Sequence, residues 1–316
     1  MAASQPILIT GAAGHVGGRL LQQLVAKYPN QVRPAFRQQV ELPVWAKNQS
    51  PIIGDLGDDT VRQAALAGVR TVVHLATRGH SALQQPTVDN LRSELSVTCA
   101  LARAAANQGV QKFVFVSSIH VFGDALVGEV SDDTTPLPTT DYGRSRLAIE
   151  NELSAIGVDT AMQVAIVRMT NTFGVPAFPR QALWDLLVHD LCRQAVLTNR
   201  LILNTNGTGY RNMLALSDAV DALAQVVVRE LPSDTYLLAG SATYQLRHIA
   251  ELVKAQAQML YAKSPTVEIN EMDTTQHAHF TLHSRRLSEH GIAIGDHLTD
   301  ELAQLLHYAQ REFTRQ

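Results

Sequence analysis

Residues 7–25 read ILITGAAGHVGGRLLQQLV. A short apolar run passes through Gly11, Gly14 and Gly17 into an amphipathic stretch. A buried strand that turns on glycine directly into a helix is the opening of a βαβ unit. In that setting Gly11 permits the tight turn and Gly14 lets the backbone approach a pyrophosphate at the helix N-terminus. Gly17 lets the helix pack closely on the sheet. A glycine triplet alone is weak evidence; at the first strand–helix junction of an alternating chain it points to a bound dinucleotide.

The alternation continues outward from this stretch. Apolar runs at 6–10, 32–36, 51–54, 71–76, 112–118 and 163–169 read as strands, and the segments 15–27, 58–67, 89–108 and 142–156 read as helices. Valine- and isoleucine-rich strands separated by helices predict an α/β fold, a Rossmann-like doubly wound parallel sheet. The pattern changes after residue 175, where GVPAFPRQ (174–181) carries two prolines and reads as a loop. Beyond it the sequence predicts a helix over 181–196, a strand over 201–204 and a helix over 216–230 capped by Ser217. A strand over 235–240, helices near 245–261 and 298–314 and a strand near 266–270 complete the reading. Residues 1–175 with 209–239 are therefore expected to form a dinucleotide-binding domain. Residues 176–208 with 240–316 are expected to form a smaller C-terminal α/β substrate lobe over the carboxyl edge of the sheet.

Composition narrows the function classes. The chain has 316 residues, 46% hydrophobic and 17% charged, with a net charge of −3. That balance gives no electrostatic case for nucleic acid or an anionic membrane as the main partner. The two cysteines form neither a metal spacing nor a disulfide framework, which fits a reducing compartment. No stretch is long and apolar enough to span a bilayer. The start MAASQPILIT runs into a strand without a basic segment or cleavage site, so the expected location is cytoplasmic. The histidine-rich QHAHFTLH (276–283) places His277 and His279 like alternating strand positions. It makes no recognised metal set and is read as a surface segment, so no metal is expected.

The end of the second strand bears on cofactor choice. An acidic residue there would accept from the adenosine ribose and repel a 2′-phosphate. This strand starts near Arg33 and ends AFRQQ, with Arg37 and no acid, which favours NADP(H) over NAD(H). Asp55 in GDLGD (54–58) is placed to accept from an adenine amino group or to cap a helix.

These motifs carry a family resemblance. TGAAGHVG, GDL, HLA, FVFVSS followed by VFG, YGRSR and VRMTNTFG occur in the order of the extended short-chain dehydrogenase/reductase family, also called the nucleotide-sugar epimerase/dehydratase family. NGTGYRNMLALSDAVDAL and TYLLAGSATYQLRHIAELV resemble its later signatures, so the likeness spans nearly the whole chain. The resemblance implies a catalytic serine and tyrosine at Ser118 and Tyr142. It puts Arg146 at the position of the family's lysine and Glu94 where the family usually has asparagine. It implies cofactor contacts from Gly11, Gly14, Gly17, Asp55 and Leu56. It assigns Asn171 to the substrate and Arg211 to the diphosphate of a nucleotide-diphosphate sugar. It also implies a homodimer through the helices at 89–108 and 142–156. Members that eliminate water carry an Asp–Glu pair where this chain has Ile119 and His120, which argues against a 4,6-dehydratase.

The chemistry fits those residue types. Hydride transfer to a ketone leaves a developing alkoxide that needs a proton and hydrogen-bond donors. A tyrosine supplies the proton when a nearby cation favours its ionisation, and a serine orients the carbonyl. Tyr142 and Arg146 are four residues apart and share one helix face. Arginine keeps the charge and offers five donors, but it cannot act as a proton relay. Arg146 is thus expected to support Tyr142 electrostatically and to hydrogen-bond the cofactor ribose. His120, two residues past Ser118, contacts a sugar hydroxyl, acts as an auxiliary acid, or only lines the pocket. The leading expectation is an NADP(H)-dependent reductase of a 4-keto nucleotide-diphosphate sugar. An NAD-dependent 4-epimerase and a catalytically weak cofactor-sensing protein are its rivals.

Overall fold

The computed structural model describes residues 6–77, 87–179 and 181–314. The sequence reading of residues 1–5, and His80 and Arg180, lie outside the described residues. The first half of the chain runs β1 (Ile7–Thr10), α1 (His15–Lys27), β2 (Val32–Phe36), β3 (Ile52–Ile53), α2 (Asp59–Leu66), β4 (Thr71–His74), α3 (Val88–Asn107), β5 (Lys112–Ser118), β6 (Gly128–Ser131), α4 (Asp141–Asp159) and β7 (Gln163–Met169). It continues through β8 (Asn171–Phe173), α5 (Leu187–Leu197), β9 (Arg200–Ile202), β10 (Tyr210–Ala215), α6 (Leu216–Val228), β11 (Asp234–Leu238) and β12 (Thr243–Gln245). The last elements are α7 (Leu246–Tyr261), β13 (Thr266–Glu268), β14 (Phe280–His283), α8 (Arg285–Glu289) and α9 (Leu298–Thr314).

Seven strands form a parallel sheet in the order β11-β7-β5-β4-β1-β2-β3. The chain begins at the middle of the sheet, winds outward to β3, then crosses β1 to β4 and winds the other way. Strand periodicity explains why both faces are covered. Ile9, Val73, Val114, Val116, Ala165 and Val167 face α1 and α6 in one apolar cluster. Their neighbours Leu8, Val72, Phe113, Phe115, Val164 and Ile166 face α2, α3 and α4 in another. Each strand therefore contributes alternate side chains to two cores, which is the α/β doubly wound arrangement expected from the sequence.

A third cluster packs α5, α7 and α9 against β9 and β10, and it includes Phe173, Met213 and Ala215. The joint between this cluster and the sheet is polar. Glu301 on α9 is buried; its carboxylate accepts from the backbone N–H of Val175 (3.2 Å) and of Ser217 (3.1 Å) and faces Arg19 of α1 at 3.4 Å.

Several expectations need correction. Ser217 does not cap α6: the N-cap is Ala215 with no side-chain bond, and the first turn is served by Glu301. A full carboxylate charge delivered from another helix suits the helix dipole better than a hydroxyl. The helix expected over 181–196 is a 3-10 turn, Gln181–Asp185, followed by α5. His277 and His279 precede the strand instead of alternating along it, and β14 pairs in parallel with β6. Strands β6, β8, β10, β12 and β14 are short segments without a long apolar run, so periodicity did not reveal them.

Removing the Glu301 carboxylate leaves two buried backbone donors and the Arg19 charge without this partner. Glu301→Ala is expected to destabilise the fold by about 3 kcal/mol, with a smaller loss in Glu301→Gln, measured as the shift in chemical denaturation.

Candidate active site

A cleft of about 640 Å³ opens at the carboxyl edge of the sheet where the strand order reverses, between β1 and β4. Ligands bind at this place in open α/β sheets, and the volume is that of a cofactor site. Its walls include Thr10, Gly11 and Gly14 from the first loop, Arg37 from the end of β2, Asp55 and Leu56 after β3, and Glu94 and Thr98 from α3. Two glycines make the loop possible. Gly11 has φ of +67°, and a Cβ there would sit 2.8 Å from the backbone of Leu75 and Ala76 after β4. A Cβ on Gly17 would collide with the carbonyl oxygen of Gly11. Gly14 is the N-cap of α1, with no side-chain capping bond and no acid in the first turn. That helix end keeps a net positive potential toward the cleft, as a pyrophosphate requires.

The side chains along the cleft divide into those bound to the fold and those facing the space. Arg33 donates to the carbonyls of Ala65 (2.9 Å) and Ala67 (2.8 Å) at the end of α2 and is spent there. Arg37 is exposed on the cleft wall and makes no hydrogen bond or ion pair among the described residues. Asp55 accepts from the N–H of Gly57 at 2.8 Å, while the N-cap of α2 is Asp58, which accepts from Thr60 and Val61. Asp55 is therefore not the helix cap.

Ser118 ends β5 and begins a 3-10 turn, Ile119–Phe122, where its Oγ accepts from the N–H of His120 at 3.3 Å. The β5–β7 register sets Ser118 beside Met169, two residues before Asn171. Tyr142 lies in the first turn of α4, whose N-cap Thr140 accepts from the N–H of Gly143 at 3.1 Å. Gly143 has no room for a Cβ against the carbonyl of His120, so α4 starts in contact with that turn. This close approach brings the rings of His120 and Tyr142 edge to face at 5.7 Å. His120 Nδ1 also lies 3.3 Å from Asp124, whose carboxylate accepts from Thr139 Oγ1 at 3.0 Å.

Below Tyr142 the site is buried and charged. The Arg146 guanidinium sits 5.1 Å from the Tyr142 ring centroid, hydrogen-bonds with Tyr142, and lies 2.6 Å from Glu94 of α3. Burial opposes its charge, but Tyr142, Glu94 and Glu150 outweigh that and hold its pKa above the usual arginine value. One turn further, Glu150 Oε2 accepts from Nε and Nη2 of Arg168 on β7 (3.0 and 2.8 Å), and its Oε1 accepts from Ser117 of β5 at 2.5 Å. His74 on β4 is enclosed between Thr10 (2.7 Å) and Thr98 (3.0 Å). Burial, then the charge on Arg146, push it down to about 3, so it stays neutral.

Ser118, His120, Tyr142 and Arg146 are thus drawn together at the end of β5. Glu94 rather than Arg146 lines the cofactor cleft. Asn171 on β8 and Arg211 on β10 belong to one three-stranded sheet, where Met213 pairs with Asn171. The exposed Arg211 guanidinium donates to the carbonyl of Tyr210 at 2.8 Å. Sequence reasoning missed Asp124, Glu150, Arg168 and His74. Glu150 had a signal: it continues the four-residue spacing of Tyr142 and Arg146. Among the described residues no group of three His, Cys, Asp or Glu could hold a metal, and no helix is long and apolar enough to cross a membrane.

The fold and this constellation define a nicotinamide-dependent class, and comparison with known proteins gives the family. A sequence model of the NAD dependent epimerase/dehydratase family matches residues 7–239, and the chain belongs to that family. It is 33% identical to a UDP-glucose 4-epimerase of Vibrio cholerae over 175 residues, 53% of this chain and 52% of that one. It is 26% identical to a dTDP-glucose 4,6-dehydratase of Streptomyces griseus over 313 residues, 94% and 92% of the two chains. The match to the first of these relatives spans about half of its length. The fold superposes on MoeE5 in complex with UDP-glucuronic acid and NAD with a TM-score of 0.80, at 24% identity over 98% of this chain and 100% of that one. It superposes equally on UDP-glucuronic acid 4-epimerase from Bacillus cereus in complex with NAD, with a TM-score of 0.79 at 20% identity over 98% of each chain.

Two outcomes follow from this geometry. Gly17→Ala, which forces the first loop and α1 apart, is expected to weaken nicotinamide cofactor binding by about tenfold or more in a fluorescence titration. His74 and His189 are buried neutral, pushed down to about 3 and about 4. Unfolding restores their ordinary affinity for protons, so their contribution to stability is full above about pH 6.5 and falls as pH drops toward 4. Chemical denaturation across that window should show His189→Gln with a shallower slope, by about 1.4 kcal/mol per pH unit.

Proposed function

We propose that this chain is an NADP(H)-dependent reductase of a 4-keto nucleotide-diphosphate sugar. The observation that carries the reading is the convergence of Ser118, Tyr142 and the Arg146 guanidinium at the end of β5, next to the cleft beyond Gly11 and Gly14. The cofactor, when bound, supplies the hydride. Tyr142 gives its proton to the carbonyl oxygen at C4, and the Ser118 hydroxyl donates a hydrogen bond that holds that oxygen. Arg146 stabilises the phenolate left behind. Asn171 and Arg211 hold the substrate, the planar guanidinium suiting a diphosphate. Arg37, exposed on the cleft wall with no acid at the end of β2, supports NADP(H) through the 2′-phosphate.

A second reading is an NAD-dependent 4-epimerase, in which the same tyrosine first takes and then returns the proton. It is supported by the likeness to the Vibrio cholerae epimerase and by the NAD bound in the similar Bacillus cereus UDP-glucuronic acid 4-epimerase. Ile119 and His120 offer no carboxylate pair for water elimination, which sets this chain apart from the dehydratases it resembles.

Mass identification of ligands released from denatured protein, with turnover assays, separates these readings. Release of no ligand, with NADPH oxidation on a 4-keto nucleotide sugar, supports the reductase. Tightly held NAD with interconversion of 4-epimers replaces it by the epimerase. Binding of cofactor without either turnover leaves a cofactor-sensing protein and overturns both. In the active case Tyr142→Phe is expected to lose turnover by about 10²–10⁴-fold while cofactor affinity is retained.

A further inference from the structure

Glu94 and Arg146 both depart from the residues the family resemblance implies, and they sit on different helices. The fold joins them: the carboxylate and guanidinium are 2.6 Å apart, with side chains 4% and 3% exposed. A buried arginine cannot shed its proton, and a buried charge without a counter-charge is strongly destabilising. An arginine in place of a lysine at this depth therefore requires a carboxylate within reach, and α3 supplies it. Asp141 and Arg144, on either side of Tyr142 on α4, pair with each other at 3.3 Å. Arg168 of β7 and Ser117 of β5 hold Glu150 through its two carboxylate oxygens. His74 of β4 is neutral, and His120 of the 3-10 turn faces Asp124 on the solvent side.

We propose that Glu94 is a positioning residue for Tyr142, which holds the Arg146 guanidinium against the phenol and cancels much of its charge there. This rests on the reading of Tyr142 as the proton donor. Glu94 and Arg146 then form a matched exchange, in which a neutral ion pair replaces a single cation beside the catalytic phenol. Glu94 also forms part of the cleft wall, which Arg146 does not reach.

With Glu94 gone, Arg146 keeps only the weaker influence of Glu150, and a less neutralised cation favours the phenolate more. Removing the Glu94 charge should therefore let Tyr142 ionise at lower pH. The measurement is ultraviolet tyrosinate absorbance against pH. Subtracting the same titration of each protein carrying Tyr142→Phe isolates Tyr142 from the other tyrosines. In Glu94→Gln the midpoint is expected to fall by about one pH unit relative to the unaltered protein. Glu94→Asp, which keeps the charge, should stay near the starting value. Should Glu94→Gln fail to fold, the double variant Arg146→Lys with Glu94→Asn, with one cation and no carboxylate, decides by the same downward shift. A midpoint that is unmoved or raised when the carboxylate is removed overturns the proposal, even if stability falls. The titration needs no substrate. Absence of turnover with every nucleotide sugar would overturn the proposed function and leave this result standing.

Discussion

The close approach of the first glycine loop to the end of β4 is the constraint on which the site depends. The backbone at Gly11 lies against Leu75 and Ala76, and α1 starts so near β1 that Gly17 has no room for a side chain. This approach occurs where the sheet reverses its winding, so it sets both the position of the α1 N-terminus and the opening between β1 and β4. The cleft walls on either side, Arg37 and Asp55 from one winding and Glu94 and Thr98 from the other, take their positions from that junction.

A second constraint operates under Tyr142. Arg146 and Glu150 on α4 turn into the protein interior, below the half-buried Tyr142. Burying these charges is costly, and the cost is met by Glu94 from α3 and Arg168 from β7, each within ion-pair distance. The two pairs tie α4 to α3 and to the sheet. They also fix the helix rotation that aims Tyr142 toward the end of β5. The contact of Gly143 with the carbonyl of His120 sets the height of the helix on that edge. The geometry of the candidate site thus follows from ordinary packing requirements of a charged helix face.

Much of this was legible in the sequence for physical reasons. Strands buried on both faces read as long apolar runs, and β1, β2, β4, β5 and β7 appear in the segments where such runs occur. α1 and α9 lie where the 3.6-residue pattern put them, because each buries a single apolar stripe. Gly11 and Gly17 were legible because only glycine fits those contacts. The short strands β6, β8, β10, β12 and β14 were not, because three to six residues leave no periodic signature. Ser217 misled because a local hydroxyl is the usual cap, whereas here a carboxylate arrives from the far end of the chain.

The sequence by itself determined the parallel sheet, the glycine loop, the absence of an acid after β2 and the chemical types at 118, 142 and 146, since these rest on local periodicity and residue identity. Only the tertiary structure decided what surrounds them. That Arg33 is consumed by α2 while Arg37 faces the cleft depends on where α2 and β2 end. That Glu94 and Arg146 are one ion pair depends on the rotation and spacing of α3 against α4. Coulomb interactions act through space and not along the chain, so the two departures read separately in the sequence become a single feature only when the helices pack.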